Sequence, residues 1–379
     1  MGSFKMPTKI FTGEQSITEI PSLIGQRILV ICDPFMASSG KVALVTDLLD
    51  ASQRSYLVFS EVVPDPTIDV VAKGVAQAVA CEPDTIIALG GGSALDTAKA
   101  VRQIYTQGIE EAAVQMIAIP TTSGTGSEVT SFAVISDPAN HSKFALVDDA
   151  MTPEFAILDP VFTMSVPGSV TADTGMDVLT HTLEAYVSTQ ATDFTDACGE
   201  KAMGIIWQDL VKVYRDGQNE ALRAKVHNAS CLAGMAFSEA SLGICHSLAH
   251  ALGGRFHIPH GRANAILLPY VIAYNAGLNE TKAQPCLTKY AQAANLLGIH
   301  GGTEKSSVTL LVAGIQRLAK QMAIPSSITE IGIDEEEFVQ AIPEMAQAAM
   351  KDTCTLTNPR VPTQIELEDL YRRIWRGGY

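Results

Sequence analysis

What most constrains the fold of this 379-residue chain is a change of rhythm near its middle. Up to Asp159-Pro160, short β-branched runs alternate with helical patterns: 28–32, a helical 37–50, 56–59, a helical 67–80, 85–89, a helical 94–105, then 116–119. Strands separated by helices of about 10–15 residues predict a parallel sheet with helices packed on its faces. After Val166-Pro167-Gly168 the strand signal fades. Apolar residues then recur at helical spacing through 170–188, 196–214, 220–237, 262–276, 286–297, 306–322 and 335–350. The expectation is an α/β, Rossmann-like domain over 1–162 followed by an all-helical domain over 163–379. Length agrees, since single cores stop growing beyond about 250–300 residues.

Three strand exits in the first half carry polar chemistry. Thr85-Ile86-Ile87-Ala88-Leu89 runs into Gly90-Gly91-Gly92-Ser93 and then into a helix-forming stretch from Ala94. A strand, a glycine turn and a helix N-terminus make an anion site, because unpaired N–H groups and the positive end of the helix dipole face a phosphate. The motif is not GxGxxG, and a plain tight turn is the alternative. Ile117-Ala118-Ile119-Pro120 leads into Thr121-Thr122-Ser123-Gly124-Thr125-Gly126-Ser127, whose hydroxyls suit phosphate and ribose oxygens or else form a surface turn. Asp33 closes the strand 28–32. A carboxylate there accepts from an adenosine ribose and repels a 2′-phosphate, which favours NAD over NADP; its bland reading is a turn residue before Pro34.

The second half holds half of the chain's 8 histidines in one short stretch: His246, His250, His257 and His260. Neutral imidazole is the commonest metal ligand. Upstream, Asp177 and His181 stand four apart, which stacks a carboxylate and an imidazole on one helix face. Together they offer an Asp and up to four His to a cation. A metal cluster beside a dinucleotide site makes a redox enzyme the leading reading. Glu184 extends the helix face but reads as a solvated glutamate, Cys245 as core, and His257 as structural or part of a substrate channel.

Composition excludes several classes. A net charge of −15 argues against nucleic acid, which needs a basic surface. Hydrophobic content of 47% with 18% charged residues fits a compact globular protein rather than a disordered one. Seven cysteines without a CxxC read as reduced thiols, and neither a signal peptide nor a membrane span is evident. A cytoplasmic protein is expected.

Over nearly its whole length the chain resembles the iron-containing alcohol dehydrogenases. The resemblance is carried by Asp65-Pro66-Thr67, Gly90-Gly91-Gly92-Ser93, Pro120-Thr121-Thr122-Ser123-Gly124-Thr125-Gly126-Ser127-Glu128, Gly175-Met176-Asp177-Val178-Leu179-Thr180-His181, the histidine cluster and Thr357-Asn358-Pro359-Arg360. It implies the metal ligands Asp177, His181, His246 and His260, with Fe²⁺ as the ion, although Zn²⁺ suits the same donors. It implies that His250 passes a proton by way of the nicotinamide ribose. It also implies NAD(H) contacts at Asp33, Gly91, Gly92, Ser93, Asp96, Thr121, Thr122, Thr125, Val134 and Lys143, with the active site in a cleft between the domains. Asp65 stands where many members carry Asn. Phe132 stands where lactaldehyde reductases carry a polar Asn, and with Phe237 it implies an apolar pocket for a short alkyl alcohol or aldehyde. Ile31-Cys32-Asp33, Asp193-Phe194-Thr195-Asp196-Ala197, His227-Asn228-Ala229-Ser230 and Phe256-His257-Ile258-Pro259-His260-Gly261 are most similar to members working in propanediol-degrading microcompartments. That implies a homodimer with shell or enzyme partners. Ethanol dehydrogenases and lactaldehyde reductases are the near alternatives. A dehydroquinate synthase-type lyase and a silent scaffold are the distant ones, the lyase disfavoured by the few Lys and Arg in 120–145 and 246–262.

Overall fold

The computed structural model describes residues 3–108, 113–138, 142–281 and 284–377. Contacts divide the chain into two compact units: Lys5–Val166 with Gln218–Gly234, and Met1–Phe4 with Pro167–Gly217 and Met235–Tyr379.

The first unit is built on eight strands: β1 (Lys9–Thr12), β2 (Arg27–Cys32), β3 (Ser55–Phe59), β4 (Thr85–Gly90), β5 (Gln115–Pro120), β6 (Phe132–Asp137), β7 (Ser142–Val147) and β8 (Phe155–Leu158). Six form a wholly parallel sheet in the order β1-β8-β5-β4-β2-β3, while β6 and β7 make an antiparallel pair. Its helices are α1 (Ile20–Leu23), α2 (Pro34–Ser38), α3 (Ala43–Ala51), α4 (Ile68–Cys81) and α5 (Gly92–Gly108). Alternate residues of each central strand feed opposite cores, as the period of two requires. Leu29, Ile31, Ile86, Ala88, Met116 and Ala118 pack with residues of α4 and α5, and Ile28, Val30, Ile87, Leu89, Ile117 and Ile119 with Val45, Leu49 and Phe162.

The expected parallel α/β sheet is therefore present, with additions. β1 and β8 are four residues each, too short to show alternation, and β6–β7 is an antiparallel pair in a stretch where the sequence reading placed no element. The helix expected over 37–50 is two, α2 and α3, separated by residues 39–42, where Ser39-Gly40 has weak helix propensity. Asp65 sits at φ 53, a left-handed conformation that, glycine apart, Asn and Asp tolerate best.

The second unit is helical: α6 (Gly168–Val187), α7 (Asp193–Arg215), α9 (Ile244–Phe256), α10 (His260–Ala276), α11 (Leu287–Leu296), α12 (Glu304–Gln321), α13 (Glu335–Lys351) and α14 (Gln364–Arg376). α8 (Glu220–Ala240) contributes to both units. The periodicity anticipated most of these helices but neither α9 nor α14. Its Leu367, Leu370, Tyr371, Ile374 and Trp375 form a buried stripe at i, i+3, i+4, i+7 and i+8. No helix among the described residues is long and apolar enough to cross a membrane.

Candidate active site

α6 is buried on every side: each side chain from Gly175 to Val187 is inside, so the polar ones must find partners there. Asp177 and His181 lie one turn apart, as the spacing predicts. α9 brings in His246, which is 1% exposed, and α10 begins with His260. Gly261 lets α10 start hard against α6, since a Cβ there would run into the Asp173 carbonyl oxygen. One ligand-type atom from each of Asp177, His181, His246 and His260 falls within 4.8 Å of the others. Asp177 Oδ1 is 3.6 Å from His246 Nε2 and 3.5 Å from His260 Nε2. The rings of His181 and His246 stack at 4.6 Å between centroids, and Phe237 stacks on His181 at 4.4 Å.

Electrostatics suit this nest to a cation. Burial pushes the Asp177 carboxyl up, but the imidazoles of His260, His181 and His246 hold it well below the usual carboxylate range. Burial pulls His181 down to about 3, so it offers a neutral lone pair. Burial opposes charge on His246 too, yet Asp177 and Glu184 outweigh it and raise that imidazole to about 9.

His246 supplies the test of fit. Its Nδ1 donates to Glu184 Oε2 at 2.5 Å, which leaves Nε2 buried beside Asp177 with no hydrogen-bond partner among the described residues, open to a cation that takes the place of its proton. A buried lone pair oriented by a carboxylate on the far side of the ring is the arrangement a metal-bound histidine takes. Glu184 is thus not the solvated glutamate expected from sequence. It is 2% exposed, and its Oε1 accepts the Cys245 N–H at 2.7 Å, capping α9. The buried Asn264, one turn after His260, donates to Asp177 Oδ1 at 2.7 Å. Cys245 is core as expected, with its Sγ toward the Asn264 carbonyl. Asn358 of the Thr357-Asn358-Pro359-Arg360 motif also serves this region: it exchanges amide hydrogen bonds with Asn275 and accepts from Ile244 N–H at the start of α9.

His250 is partly exposed, and its Nδ1 donates to Asp352 Oδ2 at 2.8 Å. Burial raises the Asp352 carboxyl, but the His250 hydrogen bond and charge carry it down to about 2. Its imidazole is stacked on His260 at 5.2 Å. His257 is exposed and ends α9 at φ 54, donating its N–H to Gly253 O, which is a structural role.

In the first unit, Asp33, the glycine turn and the hydroxyl loop stand at the carboxyl ends of β2, β4 and β5, three neighbouring strands. Chain order reverses there, since β3 lies outside β2 while β4 lies on its other side. Open α/β sheets bind ligands at such a crevice. Asp33 Oδ1 caps α2 by accepting Met36 N–H at 2.9 Å, while Oδ2 makes no hydrogen bond among the described residues. Gly92 begins α5, where a Cβ would stand 2.8 Å from Thr125 Cγ2, so the two loops touch. Thr121 is buried, while Gly91, Ser93 and Thr122 keep partial exposure. Both Asp96 oxygens are taken by the protein: Oδ1 accepts from Ser127 Oγ at 2.7 Å and Oδ2 from Val134 N–H at 2.9 Å. The Phe132 carbonyl accepts from buried Lys99. Lys143 pairs with Ser136 through its backbone; its side chain lies outside the described residues. Phe132 belongs to this unit and Phe237 to the helical one.

Sequence reasoning missed Asp352, Asn264 and His227. Asn264 left a signal in its four-residue spacing from His260, and His227 in the motif His227-Asn228-Ala229-Ser230 that carries the resemblance. His227 on α8 is buried and bonded to Ser123 Oγ at 3.0 Å, so it props the hydroxyl loop, and burial pulls it down to about 4, keeping it neutral.

The comparisons with known proteins make the chain an oxidoreductase, and the lyase and scaffold readings give way. More particularly, the chain belongs to the iron-containing alcohol dehydrogenase family: residues 7–160 match the family model described as iron-containing alcohol dehydrogenase, and 171–375 that of the family's C-terminal region. It is 45% identical to the 1-propanol dehydrogenase PduQ of Citrobacter freundii, covering 99% of this chain and 100% of that one. Among solved structures, the alcohol dehydrogenase from Oenococcus oeni superposes with a TM-score of 0.92 at 31% identity, covering 99% and 100% of the two chains. Sulfoacetaldehyde reductase from Bifidobacterium kashiwanohense, in complex with NAD+, gives 0.85 at 26% identity, covering 99% and 98%.

Proposed function

We propose that the protein is an NAD(H)-dependent dehydrogenase interconverting short primary alcohols and aldehydes, with propanal and 1-propanol the leading pair and aldehyde reduction the working direction. The observation that carries this reading is His246 Nε2, buried and unpartnered beside Asp177 while Glu184 anchors Nδ1. Asp177, His181, His246 and His260 are assigned to Fe²⁺; Zn²⁺ suits the same donors, and iron is favoured by the family. Asp33, Gly91, Gly92, Ser93, Thr121, Thr122 and Thr125 are assigned to NAD(H), together with Asp96, Val134 and Lys143. NAD is supported by the relative solved with NAD+ and by the Asp33 carboxylate.

When bound, the cation supplies Lewis acidity at the alcohol or carbonyl oxygen and the nicotinamide supplies or accepts hydride. The chain's own residues do the rest. His181 presents a neutral lone pair, Glu184 fixes the tautomer of His246, and Asn264 orients the Asp177 carboxylate. His250, anchored at Nδ1 by Asp352, keeps Nε2 for taking up or releasing the proton. Phe132 and Phe237 favour an apolar substrate chain. A homodimer in the cytoplasm, with shell or enzyme partners in a propanediol-degrading microcompartment, completes the proposal on the strength of the sequence resemblance.

The test is His260→Ala, assayed with propanal and NADH beside metal analysis of the anaerobically purified protein. Metal and turnover should be lost while NADH still binds, measured by its fluorescence. Full activity with stoichiometric metal in the variant would overturn the ligand assignment.

A further inference from the structure

Next to the Asp177 nest stands a second group of ligand-type atoms, one each from His250, Asp352 and Cys354, all within 4.8 Å of one another. All three residues are partly exposed, the His250 and Asp352 side chains among their exposed parts. Asp352 is the hub: Oδ2 accepts from His250 Nδ1 and Oδ1 from the Cys354 N–H, each at 2.8 Å. The arrangement is held from both sides. Asp352 caps the 3₁₀ turn Thr353–Thr357 that carries Cys354, and Thr355 of that turn donates to Ser247 Oγ on α9, the helix of His250, at 2.8 Å. One imidazole, one carboxylate and one thiol form a mixed N/O/S set. Such donors select Zn²⁺ or Cd²⁺ over Mg²⁺ or Ca²⁺, which require an all-oxygen shell. Burial pushes the Cys354 thiol well up, so it stays protonated until a cation displaces the proton.

We propose that His250, Asp352 and Cys354 form a second cation site that takes Zn²⁺ or Cd²⁺ and, when filled, inhibits the enzyme. On binding, the Cys354 thiol proton leaves to solvent, and the His250 proton moves from Nδ1 to Nε2 so that Nδ1 gives its lone pair to the cation. His250 can then no longer accept a proton at Nε2. Binding depends only on the three side chains; inhibition rests also on the proposed proton-transfer role of His250.

The experiment is a Cd²⁺ titration of the iron-loaded enzyme, with iron and cadmium contents, the ultraviolet thiolate-to-cadmium absorption and turnover followed on the same samples. The expected result is one Cd²⁺ taken up per chain with iron retained, a thiolate band, and turnover lost in parallel. Cys354→Ser should abolish the band and raise the inhibitory Cd²⁺ concentration at least tenfold, with kcat in the absence of cadmium unchanged. Cys354→Ala serves if the serine variant misfolds, and Asp352→Asn should weaken uptake independently. A band of full strength in the Cys354 variants, absence of uptake by the unmodified enzyme, or cadmium entering only as iron leaves would overturn the site. Uptake with the band but without inhibition would leave the site standing and overturn the proton-transfer role of His250.

Discussion

His246 lies between two carboxylates, one in the candidate ligand set and one behind it, so metal retention should depend on a residue that is not itself a ligand. Glu184→Gln keeps an oxygen for the Cys245 N–H but removes the charge that orients His246 Nδ1. Metal affinity is expected to fall about 10–100-fold, the usual cost of losing such a partner, read from competition with a chelator. Affinity unchanged within error would reduce Glu184 to a helix cap. An i,i+4 pair and a histidine cluster leave marks in the chain that bring an Asp and up to four His into view; the family resemblance, not the spacing, singles out Asp177, His181, His246 and His260. Glu184 was visible at the right spacing and misjudged, because the rule that glutamates are exposed fails on a helix with no exposed face. Asp352 left no mark at all: its pairing with His250 crosses a hundred residues of sequence.

At the scale of elements, the three strand exits can be tested separately from the helical unit. Asp33 both caps α2 and directs Oδ2 away from that cap. Glycine replaces an N-cap aspartate at a cost of only a few tenths of a kcal/mol, roughly, so Asp33→Gly should fold normally. It should raise kcat/KM with NADPH relative to NADH, and an unchanged ratio would make Asp33 a capping residue only. Gly92→Ala drives a methyl into Thr125 Cγ2, and the loops must separate. NADH binding should weaken about tenfold while metal content stays constant, and Thr125→Ser, which deletes the offending methyl, should restore part of the loss. Such loop-to-loop contact was not readable from sequence, since each motif alone passed equally well for a tight turn. What was readable was the buried central strands, whose unbroken apolar runs 28–32, 86–89 and 116–119 alternate with helical stretches. The four-residue β1 and β8 were not.

For the molecule as a whole, substrate choice is the property that separates this chain from its nearest alternatives. A 2-hydroxyl pressed on aromatic rings loses water without gaining a partner, at about 1–3 kcal/mol, or roughly ten- to a hundredfold in selectivity. Propanal should be reduced with higher kcat/KM than lactaldehyde, and Phe132→Asn should narrow the gap; a native preference for lactaldehyde would replace the apolar-pocket reading. The two-part plan was legible in the change from strand–helix alternation to unbroken helix. The return of Gln218–Gly234 to the sheet-bearing unit was not, because a helix that supports a distant loop has the same periodicity as one that does not.

That return bears on how the protein is made. His227, which props the hydroxyl loop through Ser123, is synthesised about a hundred residues after its partner. A nascent chain that has emerged only as far as Val166 already contains every strand of the sheet, yet its Thr- and Ser-rich loop lacks the bond from Ser123 to His227. That bond can form only once α6, α7 and the first turns of α8 have been made, and a fragment cut at the end of the sheet would lack it.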